Sequence, residues 1–473
     1  MSILVVAVRD EASAETQNLV PDQTFILLKP ADLPPSRGEP DSDRRRIVEA
    51  LRAHAARDQA QIRRRLDAAT PPLQHQPFYV VNGILVHGTR EQVEAVLQSP
   101  PELAPPLLLP VVMAESIPSS PVTEDFAPCE EDWNRKAVGV DRVSATGKGV
   151  TVGVVDTGVD WQHPALRPRY RGAAGGDPVS HTFNWHDATG SPPSARCPHP
   201  RTEPCDEEDD GHGTQVASLV AGSLDGVDFG VAPGASWVAC RGLVQLKGPV
   251  PPLLECLQFM LAPYPPNGDP WRDGNPDLAP DVLVNSWGVD PRHDGNAWDA
   301  PLADALRSLR AAGILPVFAA GGLAGVGGHY NCGSVLIPAR LPEAFAVGGI
   351  TCGRAPYSVS GRGPNPRDPD TPIKPDVVAP ALTVRTVRPG SHGFEKFFRG
   401  DSAAAPHAAG AVAVLWSQRP GLRGQVAQTE DLLRTRADQN LKHGNTRDLC
   451  GTCGFPSHVL GFGLIRVDRA LEH

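Results

Sequence analysis

The sequence predicts an α/β protein in two parts: a large parallel sheet with helices on both faces, preceded by a small α/β unit. Two patterns lead to this. From residue 150 onward, short apolar runs at 150–155, 237–240, 282–284 and 315–318 alternate with helix-like segments, as parallel strands joined by crossover helices require. Ahead of them, residues 118–132 are rich in proline and acid and lack any apolar period, which marks a linker. The expected organisation is a small unit over 1–115, a linker over 116–132 and a main domain over 133–473. At 473 residues, both parts are long enough to bury a core.

The small unit reads element by element. Residues 24–29 form a strand. A helix over 44–66 follows, with Asp43 as its N-cap and Ile47, Leu51, Ile62 and Leu66 as an apolar stripe. The arginines between them make a solvated face. Residues 78–87 alternate about Asn82-Gly83 as a strand pair or one bulged strand. Thr89 and Gln92 form a capping box ahead of 93–97, and 107–113 closes the unit as a strand.

Composition removes several classes of function. A formal charge of -10 with no long basic stripe is wrong for a general nucleic-acid binder. No apolar stretch reaches the roughly 20 residues of a membrane helix, so no membrane partner is expected. Residues 1–10 hold a short apolar run without a basic flank or a small-residue cleavage pattern, so no signal peptide is expected, and the cytoplasm is the expected location. The nine cysteines are expected mainly as small buried side chains rather than bridges. Cys450 and Cys453 have CxxC spacing; Cys197, His199 and Cys205 would complete a zinc set, with a Cys197–Cys205 disulfide as the alternative in an exported protein.

Three motifs carry chemistry. Val154-Val155-Asp156-Thr157-Gly158 is an apolar strand ending in an acid and a turn glycine. Gly211-His212-Gly213-Thr214 runs into the small, apolar segment 215–222 and sets an imidazole at a helix start. Gly400-Asp401-Ser402-Ala403-Ala404-Ala405-Pro406-His407 opens another small, apolar helix, so the backbone N–H of Ser402 points toward an oxyanion. Serine is a weak nucleophile unless a base takes its proton and a third group fixes the tautomer of that base. Asp156, His212 and Ser402 fill these roles, and their joint occurrence in this order discriminates where each alone would not.

The three segments are similar to the Asp-Thr-Gly, His-Gly-Thr and Gly-Thr-Ser-x-Ala-x-Pro-His signatures of the subtilisin-like serine peptidases. Further resemblance lies in Val284-Asn285-Ser286-Trp287-Gly288, in Ser360-Gly361-Arg362-Gly363-Pro364, in Lys374-Pro375-Asp376-Val377-Val378-Ala379-Pro380 and in Gly461-Phe462-Gly463-Leu464-Ile465, and it covers roughly 133–472. Trp161-Gln162-His163-Pro164-Ala165-Leu166 is similar to the bacillopeptidase F branch. The resemblance implies a serine endopeptidase acting on protein or peptide, with no cofactor for catalysis. It also implies an extended substrate lying along Ser286, Trp287, Gly288 and along Ala319, Ala320, Gly321. The order of elements in the N-terminal unit resembles the family's ferredoxin-like propeptide, an intramolecular inhibitor, and implies processing between about 113 and 132.

The sequence departs from the family in three places. The acids Asp206, Glu207, Glu208, Asp209 and Asp210 precede His212. They suit a solvated loop, a structural calcium site or a cleft edge selecting basic residues. Asp401 stands where the family has threonine. As an N-cap it would be stabilising; beside a developing oxyanion it would not. Finally, Gly322 replaces the asparagine whose amide donates to the oxyanion, and Asn331 in the following glycine-rich loop is the candidate substitute. Loss of that donor in a subtilisin lowers turnover roughly 10²–10³-fold, about 3–4 kcal/mol. The expected enzyme is slow and selective, and the competing reading is a peptide-binding pseudo-peptidase. Gly322→Asn should raise kcat toward that factor in a peptide-hydrolysis assay; no gain would mean that another group already donates.

Overall fold

The computed structural model describes residues 19–36, 38–97, 107–116, 129–207, 211–290, 297–321, 332–365, 372–382, 384–442, 450 and 454–472. The N-terminal unit runs β1 (Leu19–Leu27), α1 (Pro40–Ala68), β2 (His75–Phe78), β3 (Gly83–His87), α2 (Arg90–Leu97) and β4 (Leu107–Ser116). Its strands are antiparallel in the order β4-β1-β3-β2. The expected capping box is present: Thr89 N–H donates to Gln92 Oε1 at 2.8 Å and Gln92 N–H to Thr89 Oγ1 at 3.3 Å. Asp43 is not the N-cap. α1 starts earlier, with Pro40 in its first turn, and Asp43 sits inside that turn accepting from Ser36 Oγ at 2.6 Å.

The main domain holds β5 (Thr151–Asp156), β6 (Trp185–Asp187), α3 (His212–Ala221), β7 (Ser236–Arg241), β8 (Lys247–Pro249), α4 (Val250–Leu261), β9 (Val282–Asn285), β10 (Trp287–Gly288), α5 (Asp299–Ala311), β11 (Leu315–Ala319), β12 (Phe345–Ile350), β13 (Val377–Pro380) and α6 (Asp401–Gln418). Seven strands make one sheet, β13-β12-β11-β9-β5-β7-β6, and every pair in it is parallel. Strand side chains alternate between two cores. Val152, Val154, Val282 and Val284 pack with α3 and α6, whereas Val155, Leu283 and Phe318 pack with α4 and α5. The fully buried, alanine-rich sequence of α6 lets it lie close against the sheet behind the three motifs.

The second core does not stop at the main domain. Phe25, Ile47, Val48, Leu51 and Phe78 of the N-terminal unit belong to the same apolar cluster as Leu254, Leu257 and Leu306. The rings of Phe25 and Trp298 lie 5.0 Å apart. One turn before Ile47, the contact of α1 is ionic. Arg44 is fully buried and its Nη2 donates to Asp281 Oδ1 at 2.8 Å, while Nε and Nη1 reach the carbonyls of Ala312 and Ala279.

The cysteines overturn the sequence reading. Eight of the nine pair, as Cys129–Cys352, Cys197–Cys205, Cys240–Cys256 and Cys332–Cys450. Cys197, Cys205 and Cys450 therefore have no thiolates for zinc, and of the two alternatives the Cys197–Cys205 bridge is the one formed. Cys453 lies outside the described residues. Among the described residues no group of three His, Cys, Asp or Glu side chains is placed to hold a metal, and no helix is long and apolar enough to cross a membrane.

Asp281 also receives Arg423 Nε at 2.8 Å and Thr151 N–H at 2.9 Å, so it keeps partners if Arg44 is lost. Arg44→Met should lower the unfolding free energy of the intact chain by about 3 kcal/mol, the low end for a broken buried pair. Arg45→Ala, at an exposed pair with Asp277, should leave the urea midpoint unchanged. Equal midpoints for the two variants would refute the anchor.

Candidate active site

β5 ends on Asp156, which is fully buried. The chain turns at once: Thr157 N–H donates to Asp156 Oδ1 at 2.7 Å, and Gly158 takes φ +111°. α3 begins at His212, preceded by Gly211 at φ +65°. His212 Nδ1 donates to Asp156 Oδ1 at 2.7 Å, which puts the ring proton on Nδ1 and makes Nε2 the basic nitrogen. The approach is close enough to need glycine on both sides. A Cβ on Gly213 would lie 2.1 Å from Gly158 O, and one on Gly158 would lie 1.9 Å from Cys205 O. Phe398 stands edge-on to the imidazole at 5.5 Å and covers one side of it.

Ser402 is the second residue of α6, behind Gly400 at φ +99°. Pro406, four residues on, has no N–H to give the Ser402 carbonyl. Ser286 supplies the missing donor: its Oγ bonds Ser402 O at 3.1 Å, and Ser402 Oγ donates to Ser286 O at 3.4 Å. His407 is buried in the same helix. Its Nδ1 donates to Ala403 O at 2.6 Å and its Nε2 accepts from Asn134 Nδ2 at 2.9 Å, and burial pushes its pKa down to about 4, so the ring is a neutral brace. The triad residues of the sequence reading thus stand at a strand end and two helix starts on one side of the sheet.

Asp206 is a brace for the histidine, not a solvated or substrate-facing acid. Its Oδ1 accepts from Thr157 Oγ1 at 2.9 Å, and its Oδ2 accepts from Thr214 N–H at 2.9 Å and Thr214 Oγ1 at 2.7 Å. It therefore satisfies a first-turn N–H of α3 that glycine at the N-cap leaves without a side-chain acceptor. Burial raises its pKa to about 7 against the pull of these donors. Glu207 turns to the buried guanidinium of Arg241. Glu208, Asp209 and Asp210 lie outside the described residues, as do Gly322 and Asn331. Asp401 is not an N-cap either: Gly400 occupies that place, and the Asp401 carboxyl turns to Ser360 and Gly361.

The cleft edge is only partly where the sequence put it. β4 of the N-terminal unit lies antiparallel between two short strands, with Gly248 opposite Ala114 on one side and Gly288 opposite Glu115 and Trp287 opposite Ser116 on the other. The Ser286-Trp287-Gly288 segment thus offers an edge that holds an extended chain. At Ala320 the backbone is already taken, because its N–H bonds Val347 O and its O receives Leu336 N–H. The second edge is β8, which sequence reasoning missed; its signal was Gly248, where a Cβ would strike Gly242 O at 2.8 Å.

A family model, the subtilase family of peptidases S8, matches residues 147–453. The chain belongs to the subtilase family. This subtilase is 34% identical over 374 residues to bacillopeptidase F of Bacillus subtilis (strain 168), across 76% of its own length and 24% of that relative. It is 27% identical to serine protease AprX of the same organism, covering 62% of each chain. Its fold is similar to that of fervidolysin from Fervidobacterium pennivorans, a keratinolytic enzyme related to subtilisin, at TM-score 0.58 and 18% identity, over 96% of this chain and 61% of that one. The family and fold class expected from the motifs both hold.

A raised carboxyl pKa means that the folded subtilase binds a proton the unfolded chain releases. The contribution of Asp206 is therefore full below about pH 4 and is lost as pH rises through about 7. Asp206→Asn should flatten the decline in stability between pH 5 and pH 8 by on the order of 2 kcal/mol, read from urea unfolding at both values. Parallel pH curves for wild type and variant would contradict it.

Proposed function

We propose that this subtilase is a serine endopeptidase whose triad is Asp156, His212 and Ser402, and that residues 1–115 act as its built-in inhibitor. The observation that carries the reading is the 2.7 Å bond from His212 to a fully buried Asp156, beside a helix whose second residue is Ser402. In this scheme His212 Nε2 takes the proton of Ser402 Oγ as the oxygen attacks the substrate carbonyl. Asp156 accepts from Nδ1 and stabilises the imidazolium that forms. The proton then passes to the leaving amine, and water, deprotonated by the same nitrogen, releases the acid from the ester. The α6 N-terminus faces the oxyanion with the Ser402 N–H. The chemistry draws on no metal or cofactor.

The seat of β4 supports the inhibitor reading. An extended segment of the N-terminal unit occupies the edges that a substrate would need, in an antiparallel ladder that uses backbone groups. Cutting between about 113 and 128 would release it from the chain, and Cys129–Cys352 would keep the new start of the main domain fastened. The four disulfides support an oxidising compartment in place of the cytoplasm, because such bridges rarely persist among cytosolic thiols. Slow, selective processing rather than general digestion is supported by glycine at position 322.

A fluorophosphonate probe should label the wild type, after the N-terminal unit is removed, at Ser402, and should leave Ser402→Ala unlabelled. Asp156→Asn should keep the fold and lower kcat on the order of 10³–10⁴-fold. Absence of labelling in the processed wild type would favour a peptide-binding protein and end the peptidase reading.

A further inference from the structure

We propose that Asp401 is a positioning residue for acyl transfer: its carboxyl ties the first turn of α6, and so Ser402, to the Ser360-Gly361 turn. This rests on the peptidase reading above. The carboxyl occupies a slot built from glycines. A Cβ on Gly349 of β12 would lie 2.7 Å from Asp401 Oδ1, and a Cβ on Gly361 would lie 1.7 Å from Gly321 O. Neither position accepts a side chain without moving the carboxyl or the strand end.

The hydrogen bonds are directional. Asp401 Oδ2 accepts from Ser360 Oγ at 3.0 Å and from Gly361 N–H at 3.1 Å. Ser360 Oγ itself accepts from Gly349 N–H at 2.9 Å, which leaves its single proton for Asp401. The backbone of Gly321 also favours the ionised carboxyl. Both donors converge on one carboxylate oxygen, and its charge makes these bonds stronger than a neutral hydroxyl acceptor would. A residue needed only for packing would not be a carboxylate buried to 2% exposure.

Burial raises the pKa to about 7 while Gly361, Ser360, Arg362 and Gly321 pull it down. Arg362 is the charged group facing it from the 360–364 turn. Tyr357 flanks Gly349, His407 follows on α6 as a neutral ring, and β11, β12 and β13 carry no titratable side chain. The donors around Asp401 fit the ionised form. Protonation on Oδ1 below neutral pH removes the charge that strengthens both bonds at Oδ2 and loosens the tie, so turnover falls on the acid side in step with this carboxyl.

The test compares wild type, Asp401→Asn and Ser360→Ala in the full chain after processing. Asp401→Asn should lower kcat at pH 8 by about tenfold to a hundredfold with KM within about twofold. It should slow fluorophosphonate labelling of Ser402 by a similar factor and remove about one proton from the acid limb of kcat relative to wild type. Asp206 is present in both proteins, so the difference isolates Asp401. Ser360→Ala keeps the carboxylate but removes a donor, and should move the acid limb to higher pH. An Asp401→Asn protein that melts like wild type with unchanged kcat and acid limb overturns the proposal. If that variant does not fold, an unchanged acid limb in Ser360→Ala overturns it. Wild type that neither labels nor cleaves removes the peptidase reading and this proposal with it, whereas normal wild-type labelling beside an unaltered Asp401→Asn removes this proposal alone.

Discussion

The bond between His212 and Asp156 sets the terms for everything around it. A strand end and a helix start must meet at 2.7 Å between side chains, and their backbones must come closer than any Cβ allows. Gly158, Gly211 and Gly213 meet that demand by composition. The loop closed by Cys197–Cys205 meets it by placement, since the Cys205 carbonyl sits over Gly158 and the next residue, Asp206, bonds both Thr157 and Thr214. The disulfide loop is thus part of the support for the histidine. A carboxylate reached from outside the helix does the capping that glycine cannot, and glycine is there because a side chain would not fit.

The same exchange recurs on the serine side. A proline inside α6 removes the helical donor to Ser402 O, and Ser286 answers with a hydroxyl. Asp401 begins the helix, and its Oδ2 receives a hydroxyl and an N–H from the turn after β12. Each departure from regular backbone is matched by a side chain from a different element. Buried polar groups that are matched in this way rigidify a site, because any shift leaves one of them exposed to an apolar interior.

This pattern explains what could be read from the sequence. The parallel strands at 151–156, 236–241, 282–285 and 315–319 were legible because a sheet covered on both faces needs continuous apolar runs. The three motifs were legible because each combines a reactive residue with the glycine that admits it. The capping box at Thr89 was legible because both partners are three residues apart. What escaped were relations between distant segments. Cysteine pairing has no local signature: Cys129 finds Cys352 across 223 residues. Asp206 looked like the start of an acidic loop, and only the fold brings it under Thr214. Asp43 looked like a cap because proline at the true start of α1 hid the extra turn. β8 is three residues long, too short for any period to mark it.

The N-terminal unit turns these local rules into a functional argument. β8 and β10 are short edges whose backbone groups face a gap, and β4 fills that gap with an antiparallel ladder on both sides. Edges of two and three residues hold a chain in few registers, because each residue of slip forfeits a large share of the available bonds. With β4 removed, the backbone edges at Gly248 and Gly288 would be left to water, and an incoming peptide would restore what β4 had supplied. The affinity of such a cleft for an extended chain therefore comes from the main chain, and its selectivity from what the side chains beside Gly248 and Gly288 tolerate. The N-terminal unit shares the core of the main domain and anchors Arg44 at Asp281, so it holds β4 in place from far outside the two edges. In the proposed inhibitor role, the strand would compete with substrate without itself binding those edges tightly.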